Sequence, residues 1–349
     1  MASRCLYLVS SSATREYVVD CLEALALPRG MVHHFRYLRR YVDGALCGQL
    51  HRRPGRLRRA LRGLPVVVVY LYQEQARGAW KPMEDAAPYV PLRCGRLLDA
   101  FLDGEIVHFY FEITDYVRPS KWRLSSRSLL NRQVKFLTTV GKKTKPSYAH
   151  IAENLRLGAQ RQDDAHAFQK FVLDGYKAGE WRTRSLGSAP LDVTYDPVFV
   201  RVGGIFHERG NRLNEVRARP RELFGNPFSE FPLEFGSIYH VQVATQLGAK
   251  LPAELPGKGG ATLRLSFEEN AIMPAGPTSF RVSSAYDLHY WSITPCRADG
   301  YRGVLRVVCE HSLREDYKNF VRRELLCPEI SMPVSITAPR ALHSSSSRK

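Results

Sequence analysis

The sequence has no apolar run close to the length of about 18–20 residues that a membrane-spanning helix needs. Its first residues, MASRCLYLVSSSATREY, contain only the short apolar stretch CLYLV, which is too brief for the apolar region of a secretory signal. The seven cysteines are odd in number and widely spaced, so they do not suggest a disulfide framework. These absences predict a reduced, cytoplasmic protein with no membrane partner.

Recognisable catalytic motifs are also lacking. The sequence contains no G-x-S-x-G, and neither Gly257–Gly260 nor Gly141–Thr144 has the spacing of a phosphate-binding loop. The potential zinc ligands Cys296, Cys309, His311 and Cys327 form the pattern C-x12-C-x-H-x15-C. A structural zinc site normally uses pairs of closely spaced ligands, and only Cys309 and His311 come near this spacing.

A metal-dependent nuclease is a further alternative. His108 and Glu112 share one face of a predicted strand, but they lie about 13 Å apart along it at ~3.3 Å per residue. Asp115 follows them, so a metal site would need other residues folded in from distant parts of the chain. A nucleic-acid-binding function and a protein-docking function are therefore both favoured over an enzymatic one, and we expect no metal and no cofactor.

The positive charge is concentrated in the first part of the chain. The formal net charge is +17; residues 1–150 contain 25 Lys and Arg against 12 Asp and Glu, a net charge of +13. Subtraction from the totals leaves 26 against 22, a net charge of +4, for residues 151–349. Such an asymmetry favours an anionic partner for the N-terminal part.

Two segments carry most of this charge. The first basic segment, residues 36–62, contains Arg36, Tyr37, Arg39, Arg40, Arg52, Arg53, Arg56, Arg58, Arg59 and Arg62. The second basic segment, residues 116–152, has no carboxylate and contains Lys121, Trp122, Arg123, Arg127, Arg132, Lys135, Lys142, Lys143 and Lys145. Cations interleaved with aromatic rings are typical of surfaces that neutralise phosphates and stack on bases. The alternative is a pair of solvated segments whose aromatic rings are buried.

A protein-docking role is the second function class. The segment Arg219–Phe235 contains three prolines, so it is expected to be an irregular loop. Its aromatic residues would act as anchors for a protein partner: Phe224, Phe228, Phe231 and Phe235. The alternative is a loop whose aromatic rings pack on the protein's own sheet.

The predicted fold is α+β and β-rich. An N-terminal mixed-sheet domain with flanking helices is expected over residues 1–146, and a C-terminal β-sandwich or barrel-like domain over residues 191–335. Between them, residues 147–190 are predicted to form a helical connector, with a helix over Tyr148–Tyr176, and a linker. Residues 336–349 are predicted to be a disordered tail.

Several elements have clear signals. Pro65–Tyr72 is a β-branched and aromatic run, typical of a strand buried on both faces. Asp103-Gly104 between apolar runs predicts a hairpin whose second strand, Glu105–Val117, alternates between a core face and a mixed face. Ala13–Leu27 and Ser312–Leu326 have helical spacing, whereas Met31–Val42 fits either a strand or a basic helix.

From these observations the sequence favours a nucleic-acid-binding module that grips the phosphate backbone through both basic segments. It would be a subunit of a larger assembly, with DNA and RNA equally possible. The alternatives are a non-enzymatic adaptor that docks through the aromatic C-terminal segment, and a nuclease with a site assembled from distant residues.

Overall fold

The computed structural model describes most of the two sheet-forming parts of the chain. The described residues are 4–11, 15–52, 60–71, 73–76, 79–82, 89–117, 137–140, 143–146, 148–154, 159–160, 198–247, 260–268, 271–282, 286–297, 300–312 and 329–338.

The N-terminal unit contains two α-helices and eleven strands within its described residues. In chain order its elements are β1 (Arg4–Ser11), α1 (Arg15–Ala26), β2 (Val32–Leu38), a 3-10 helix (Arg39–Tyr41), α2 (Gly44–Arg52), β3 (Pro65–Leu71), β4 (Gln73–Ala76), β5 (Ala79–Pro82), β6 (Tyr89–Asp103), β7 (Ile106–Val117), β8 (Leu137–Val140), β9 (Lys143–Pro146), β10 (Ala149–Glu153) and β11 (Ala159–Gln160). Neither α-helix of the described chain has the length and apolar character that crossing a bilayer requires.

One mixed sheet organises this unit. Its strand order is β10-β1-β3-β6-β7, and β2 and β11 both pair with β7. The β1–β3 pair is parallel, whereas the other pairs are antiparallel. Val66–Tyr70 of β3 are all buried, so the prediction of a strand covered on both faces is confirmed. The expected α+β, β-rich architecture with a mixed N-terminal sheet is also confirmed.

The hairpin of β6 and β7 is the longest feature of the sheet, and it matches the prediction. Asp103 pairs with Ile106, and Gly104 at the turn has a φ of +55°, a conformation that glycine adopts without steric cost. Along β7, alternate residues from Val107 to Ile113 are fully buried, and the residues between them are half-buried. Met31–Val42 resolves as the strand β2 followed by the 3-10 helix.

The two edges of the sheet are joined. After β2, Val42 forms a parallel bridge with Ala149 of β10, and Tyr148 N–H donates to Tyr41 O over 2.6 Å. Inside this closure, the Tyr37 hydroxyl donates to Val9 O over 3.1 Å. The segment that follows β2 therefore returns to the β10 edge of the sheet.

The helix predicted over Tyr148–Tyr176 is wrong where the structure describes the chain. Residues 149–153 and 159–160 are the strands β10 and β11, which pair with β1 and β7. The N-terminal sheet thus extends beyond the predicted boundary at residue 146. A segment of five residues is too short for helical and strand periodicity to be distinguished. Residues 149–153 form a strand because they pair with the backbone groups that β1 would otherwise leave unpaired at its edge. The rest of the predicted connector lies outside the described residues.

The C-terminal unit contains strands throughout its described residues. They are β12 (Val198–Arg209), β13 (Arg212–Val216), β14 (Arg219–Leu223), β15 (Asn226–Glu234), β16 (Tyr239–Leu247), β17 (Gly260–Ser266), β18 (Ile272–Pro274), β19 (Ser279–Val282), β20 (Tyr286–Pro295), β21 (Arg302–Ser312) and β22 (Glu329–Thr337). We call the five strands β13-β12-β16-β20-β18 the front sheet and the six strands β14-β15-β22-β21-β17-β19 the back sheet.

The two sheets enclose an apolar core. Val241, Trp291 and Ile293 of the front sheet are buried, as are Leu305 and Met332 of the back sheet. Alternation along each strand produces this inner layer, as expected for a sandwich. The strand β22 ends at Thr337, so the predicted tail at residues 336–349 begins too early. The predicted helix over 312–326 lies outside the described residues apart from Ser312, which ends β21.

The segment Arg219–Phe235 is not an irregular loop. Residues 219–223 and 226–234 form the β14–β15 hairpin, with Phe224 and Gly225 at its turn. Pro220 is tolerated because β14 is an edge strand. Pro232 lies beyond Glu230, the last residue of β15 that pairs with β14, so at this position the β14 side of β15 needs no backbone donor.

Helix α1 connects the two units. It packs on β1, β3 and β6 on one side and on β12 on the other. The Leu25 carbonyl near its C-terminus accepts from Tyr116 Oη over 2.7 Å and from Arg93 Nη1 over 3.3 Å. A second contact is the Ser229 hydroxyl, which donates to Gly30 O over 2.7 Å.

Candidate nucleic-acid interface

The outer face of the sheet at β2, β7 and β6 carries a group of rings. The register pairs His34 with Tyr110, and Phe101 with His108. Because paired residues lie on one face of a sheet, these four side chains share the surface opposite the core. We call them the aromatic platform: His34, Phe101, His108 and Tyr110.

The rings of the platform are nearly parallel. The centroids of His34 and Tyr110 are 4.1 Å apart with planes 4° apart, and those of Phe101 and His108 are 4.7 Å apart with planes 9° apart. His34 and His108 join the two pairs, with centroids 5.1 Å apart. All four side chains are half-buried, so the stack keeps part of its surface open to a ligand.

The platform is uncharged at neutral pH. Burial lowers the pKa of His34 to about 4, and the neighbouring His108 and Arg36 add to the effect. Burial also lowers the pKa of His108, partly opposed by Asp103, and raises the pKa of Tyr110. Neutral rings stack without the cost of desolvating a charge, so this surface suits a planar, uncharged group.

Cations border the platform on two sides. Arg36 lies on β2 opposite His108, and its side chain is exposed. Arg39 and Arg40 follow on the 3-10 helix and are also exposed. On β6, Arg96 is 56% exposed and forms an ion pair with Glu112. Arginines at such positions can contact the phosphates of a nucleic-acid strand whose bases stack on the aromatic platform.

The structure brings parts of the two basic segments together. The strand β9, which contains Lys143 and Lys145, lies beside the 3-10 helix with Arg39 and Arg40. Arg52 is the last residue of α2, and Arg62 is exposed before β3. The other predicted contact residues lie outside the described residues: Arg53, Arg56, Arg58, Arg59, Lys121, Trp122, Arg123, Arg127, Arg132, Lys135 and Lys142.

The prediction that Tyr37 stacks on bases is wrong. Its side chain is 2% exposed, and its hydroxyl is bonded to the backbone of β1. Along β2, His33, Phe35 and Tyr37 face the core, whereas His34 and Arg36 face outward. Consecutive residues of β2 therefore face opposite sides of the sheet: Arg36 is at the surface and Tyr37 is in the core.

The predicted aromatic anchors of the C-terminal unit do not form one surface. Phe231 is fully buried in the sandwich, and Phe228 is half-buried. Phe235 is partly exposed after β15, whereas Phe224 is 95% exposed at the turn of the β14–β15 hairpin. Phe231 faces the core because successive side chains of a strand point to opposite faces. The irregular loop that the sequence predicted would not have this alternation.

The alternative sites are also separated. Glu112 binds Arg96, and Asp115 lies 3.1 Å from Arg29, so neither turns toward His108. Cys309 is buried in β21 and Cys296 is exposed. Within the described ranges, no group of three or more His, Cys, Asp or Glu side chains is placed to hold a metal ion.

Sequence reasoning found part of the platform and missed the rest. The alternation of β7 put His108 and Tyr110 on a mixed face, but His108 was weighed only as part of a metal site and Tyr110 had no predicted role. His34 and Phe101 join them only through the register of β2 and β6 with β7. For Phe101, the available signal was the predicted Asp103-Gly104 turn, because a hairpin at this turn places Phe101 opposite His108.

No family model matches this chain, and neither does any curated protein.

Proposed function

We propose that this protein binds single-stranded nucleic acid in the cytoplasm. The aromatic platform would receive bases, and Arg36, Arg39 and Arg40 would contact phosphates. The observation that carries the proposal is the continuity of an uncharged ring stack with exposed arginines on β2 and the 3-10 helix. None of the six cysteines in the described part of the chain forms a disulfide, which supports a reducing compartment.

A single strand fits this surface better than a duplex. In a duplex the base faces are already stacked on each other, so rings on a sheet cannot reach them. In a single strand each base can stack on a side-chain ring, for about 1–3 kcal/mol per base. Every base has a π-face, so binding of this kind is tolerant of sequence and leaves both RNA and DNA as ligands.

The test uses the full-length protein and fluorescent oligonucleotides of about 16 nucleotides, the upper site size of one comparable single-strand-binding fold. Fluorescence anisotropy would be measured over a series of salt concentrations with single-stranded RNA, single-stranded DNA and duplex DNA. We expect both single strands to bind more tightly than the duplex, and log K to fall linearly with log salt.

The variant R36A/R39A/R40A identifies the surface. We expect its salt slope to decrease by about 0.7 for each phosphate that the missing arginines no longer neutralise. The control is Arg281→Ala, which removes an exposed arginine from the back sheet of the C-terminal unit. No binding by the wild type at low salt, or equal losses of affinity in both variants, would refute the proposal.

A second candidate is docking to a protein partner within a larger assembly, and one observation favours it. Phe224 is 95% exposed and has a φ of +50°, so a large apolar ring is displayed in a backbone conformation that costs energy. A photo-crosslinking residue at position 224 would test it, with one at Asn211 in the β12–β13 turn as control. A specific protein adduct at position 224 that excess wild-type protein competes away, and Phe224→Ala does not, would support docking.

A further inference from the structure

Three polar side chains lie side by side on the outer face of the front sheet. Glu208 is on β12, His240 on β16 and Ser292 on β20, and these are neighbouring strands. His240 is paired with Ser292 and with Phe206, two residues before Glu208. Because positions i and i+2 of a strand share a face, all three side chains project from the same surface.

Two hydrogen bonds join them into a row. Ser292 Oγ lies 3.0 Å from His240 Nδ1, and His240 Nε2 lies 2.7 Å from Glu208 Oε2. An ionised carboxylate only accepts hydrogen bonds, so the neutral imidazole must keep its proton on Nε2. Its Nδ1 then has a lone pair, and the Ser292 hydroxyl is the donor. Glu208 thus fixes the tautomer in which His240 can accept the proton of Ser292.

We propose that Ser292 is the nucleophile of an acyl-ester hydrolase site, with His240 as its general base and Glu208 as the residue that orients His240. A nucleophile in hydrogen-bond reach of a base, which a third group orients, is the arrangement that activates a serine. This site is independent of the proposed nucleic-acid surface, which lies on the N-terminal sheet.

The reaction transfers an acyl group through Ser292. The Ser292 oxygen forms a bond to the ester carbonyl carbon while its proton passes to His240 Nδ1. The bond between that carbon and the alcohol oxygen then breaks, and the departing alcohol takes the proton from Nδ1. A water molecule attacks the acyl-serine in the same way, giving its proton to Nδ1. The Ser292 oxygen leaves with that proton, and the carboxylic acid is released.

A hydrogen-bond donor for the developing negative charge lies beside the row. Gln242 Nε2 donates to Tyr290 Oη over 2.7 Å, so the hydroxyl proton of Tyr290 is directed elsewhere. Tyr290 is 45% exposed and precedes Ser292 by two residues, on the same face and about 7 Å along the strand. An ester carbonyl attacked by Ser292 would bring its oxygen toward this hydroxyl, which would act as the oxyanion donor.

A β-bulge shapes the same part of the sheet. The β12–β16 register shifts between Val202 and Gly204, and a side chain at Gly203 would collide with that of Gln242. Glycine at position 203 therefore makes room for Gln242, which in turn holds Tyr290. Bulges of this kind are over-represented beside active sites, where they aim side chains.

The surroundings indicate a small ester with an apolar acyl group. Met273 of β18 pairs with Thr294, two residues after Ser292, and is 57% exposed. Leu288 precedes Tyr290 by two residues and is also exposed. Met273, on the neighbouring strand β18, therefore offers an apolar side chain about 7 Å along the sheet from Ser292, whereas Leu288 lies about 13 Å from Ser292 on the other side of Tyr290. An apolar acyl group would lie against Met273.

The test is covalent labelling of the full-length protein with an alkyl fluorophosphonate. Ser292 Oγ would form a bond to phosphorus, and fluoride would leave with the proton taken by His240. Intact-protein mass spectrometry gives the labelling rate, and peptide fragmentation gives the site. We expect one adduct, on Ser292, and we expect wild-type protein to hydrolyse p-nitrophenyl acetate through the same residue.

Variants of the row test whether Ser292, His240 and Glu208 act in catalysis or only form hydrogen bonds at the surface. We expect His240→Asn to slow labelling by about a hundred-fold or more, since general-base assistance contributes about 10²–10⁴-fold. Glu208→Gln should also slow it, because a glutamine amide can donate to Nε2 and favour the wrong tautomer. The control is Ser331→Ala, which removes a back-sheet serine bonded to Glu329 Oε1 over 3.0 Å, and it should leave the rate unchanged.

The outcomes are decisive because folding is measured separately. Circular dichroism spectra and urea unfolding midpoints equal to those of the wild type would establish that each variant is folded. Labelling of Ser292 no faster than of Ser331 would overturn the proposal. An unchanged labelling rate in folded His240→Asn or Glu208→Gln would overturn it as well.

Discussion

His34 Nε2 and His108 Nδ1 lie 3.0 Å apart on the adjacent strands β2 and β7. At this distance two imidazolium ions would repel each other strongly, so at most one of the rings carries an extra proton. Burial and the exposed Arg36 beside them favour the neutral forms of both. One ring then donates its N–H to the other, and the pair joins Phe101 to Tyr110 as one ring stack. In the proposed nucleic-acid site, the arginines around the platform would therefore contact the phosphates, and the neutral histidines would not.

Lowering the pH should destabilise the N-terminal unit, because the buried His33 binds a proton more readily in the unfolded chain than in the folded one. Burial lowers the pKa of the buried His33 from 6.5 to about 4, so between these values the unfolded chain binds a proton that the folded chain does not. Stability is therefore lost as the pH falls from about 6.5 to about 4. Linkage gives a loss on the order of 2 kcal/mol at pH 5 for this residue.

Urea unfolding followed by circular dichroism at pH 7.5 and pH 5 measures this effect. The variant His33→Gln should be less stable than the wild type at pH 7.5 and should lose less stability on acidification. A difference between the two pH values that is the same in both proteins would show that His33 is not responsible.

Stacking and phosphate contact should separate in binding data. We expect Tyr110→Ala and Phe101→Ala each to weaken single-strand binding by about 1–3 kcal/mol, and to leave the salt slope unchanged because no cation is removed. Arg36→Ala should instead reduce the slope. Anisotropy titrations over a salt series measure both quantities, with Phe235→Ala on the C-terminal unit as the control. A changed slope in Tyr110→Ala would contradict base stacking.

Arg93 should be important for stability although it is charged and buried. Its guanidinium lies 3.7 Å from the centre of the Tyr116 ring and donates to Leu25 O and Thr114 O. Replacement by Met leaves the Thr114 carbonyl without this donor and removes the cation–π contact, so we expect a loss of about 2–4 kcal/mol. Arg96→Met, on the same strand but exposed, should cost at most about 1 kcal/mol. Urea midpoints measure both, and equal losses would contradict this role of Arg93.

Local patterns were sufficient where one strand determines the outcome. The apolar run Val66–Tyr70, the Asp103-Gly104 turn and the alternation along β7 each fix an element without information from the rest of the chain. They led to the correct fold class and to the correct core face of the longest hairpin. The five residues of β10 did not, since their pairing with β1 outweighs their helical spacing.

The candidate sites depend on pairing between distant strands, which no local pattern reports. His34 reaches Tyr110 only because Val32 pairs with Glu112 and every later residue follows in register. Glu208, His240 and Ser292 come from three separate strands and share no motif. A shift of one residue in either β16 or β20 would turn its polar side chain into the sandwich core. Composition predicted a basic surface, but register decides which residues occupy it.

The turn of the β14–β15 hairpin stores strain that a substitution can release. Phe224 and Gly225 have φ values of +50° and +79°, the combination found in tight two-residue turns that favour Asn-Gly. Asparagine tolerates this conformation better than phenylalanine, so Phe224→Asn should raise the free energy of unfolding by about 0.5–1 kcal/mol. Leu223→Asn, in the neighbouring extended residue, should give no such gain. A Phe224→Asn variant less stable than the wild type in urea would mean that the ring has a stabilising contact within the chain. A more stable variant would show that the backbone strain at position 224 costs more free energy than the contacts of the phenylalanine ring return within the chain.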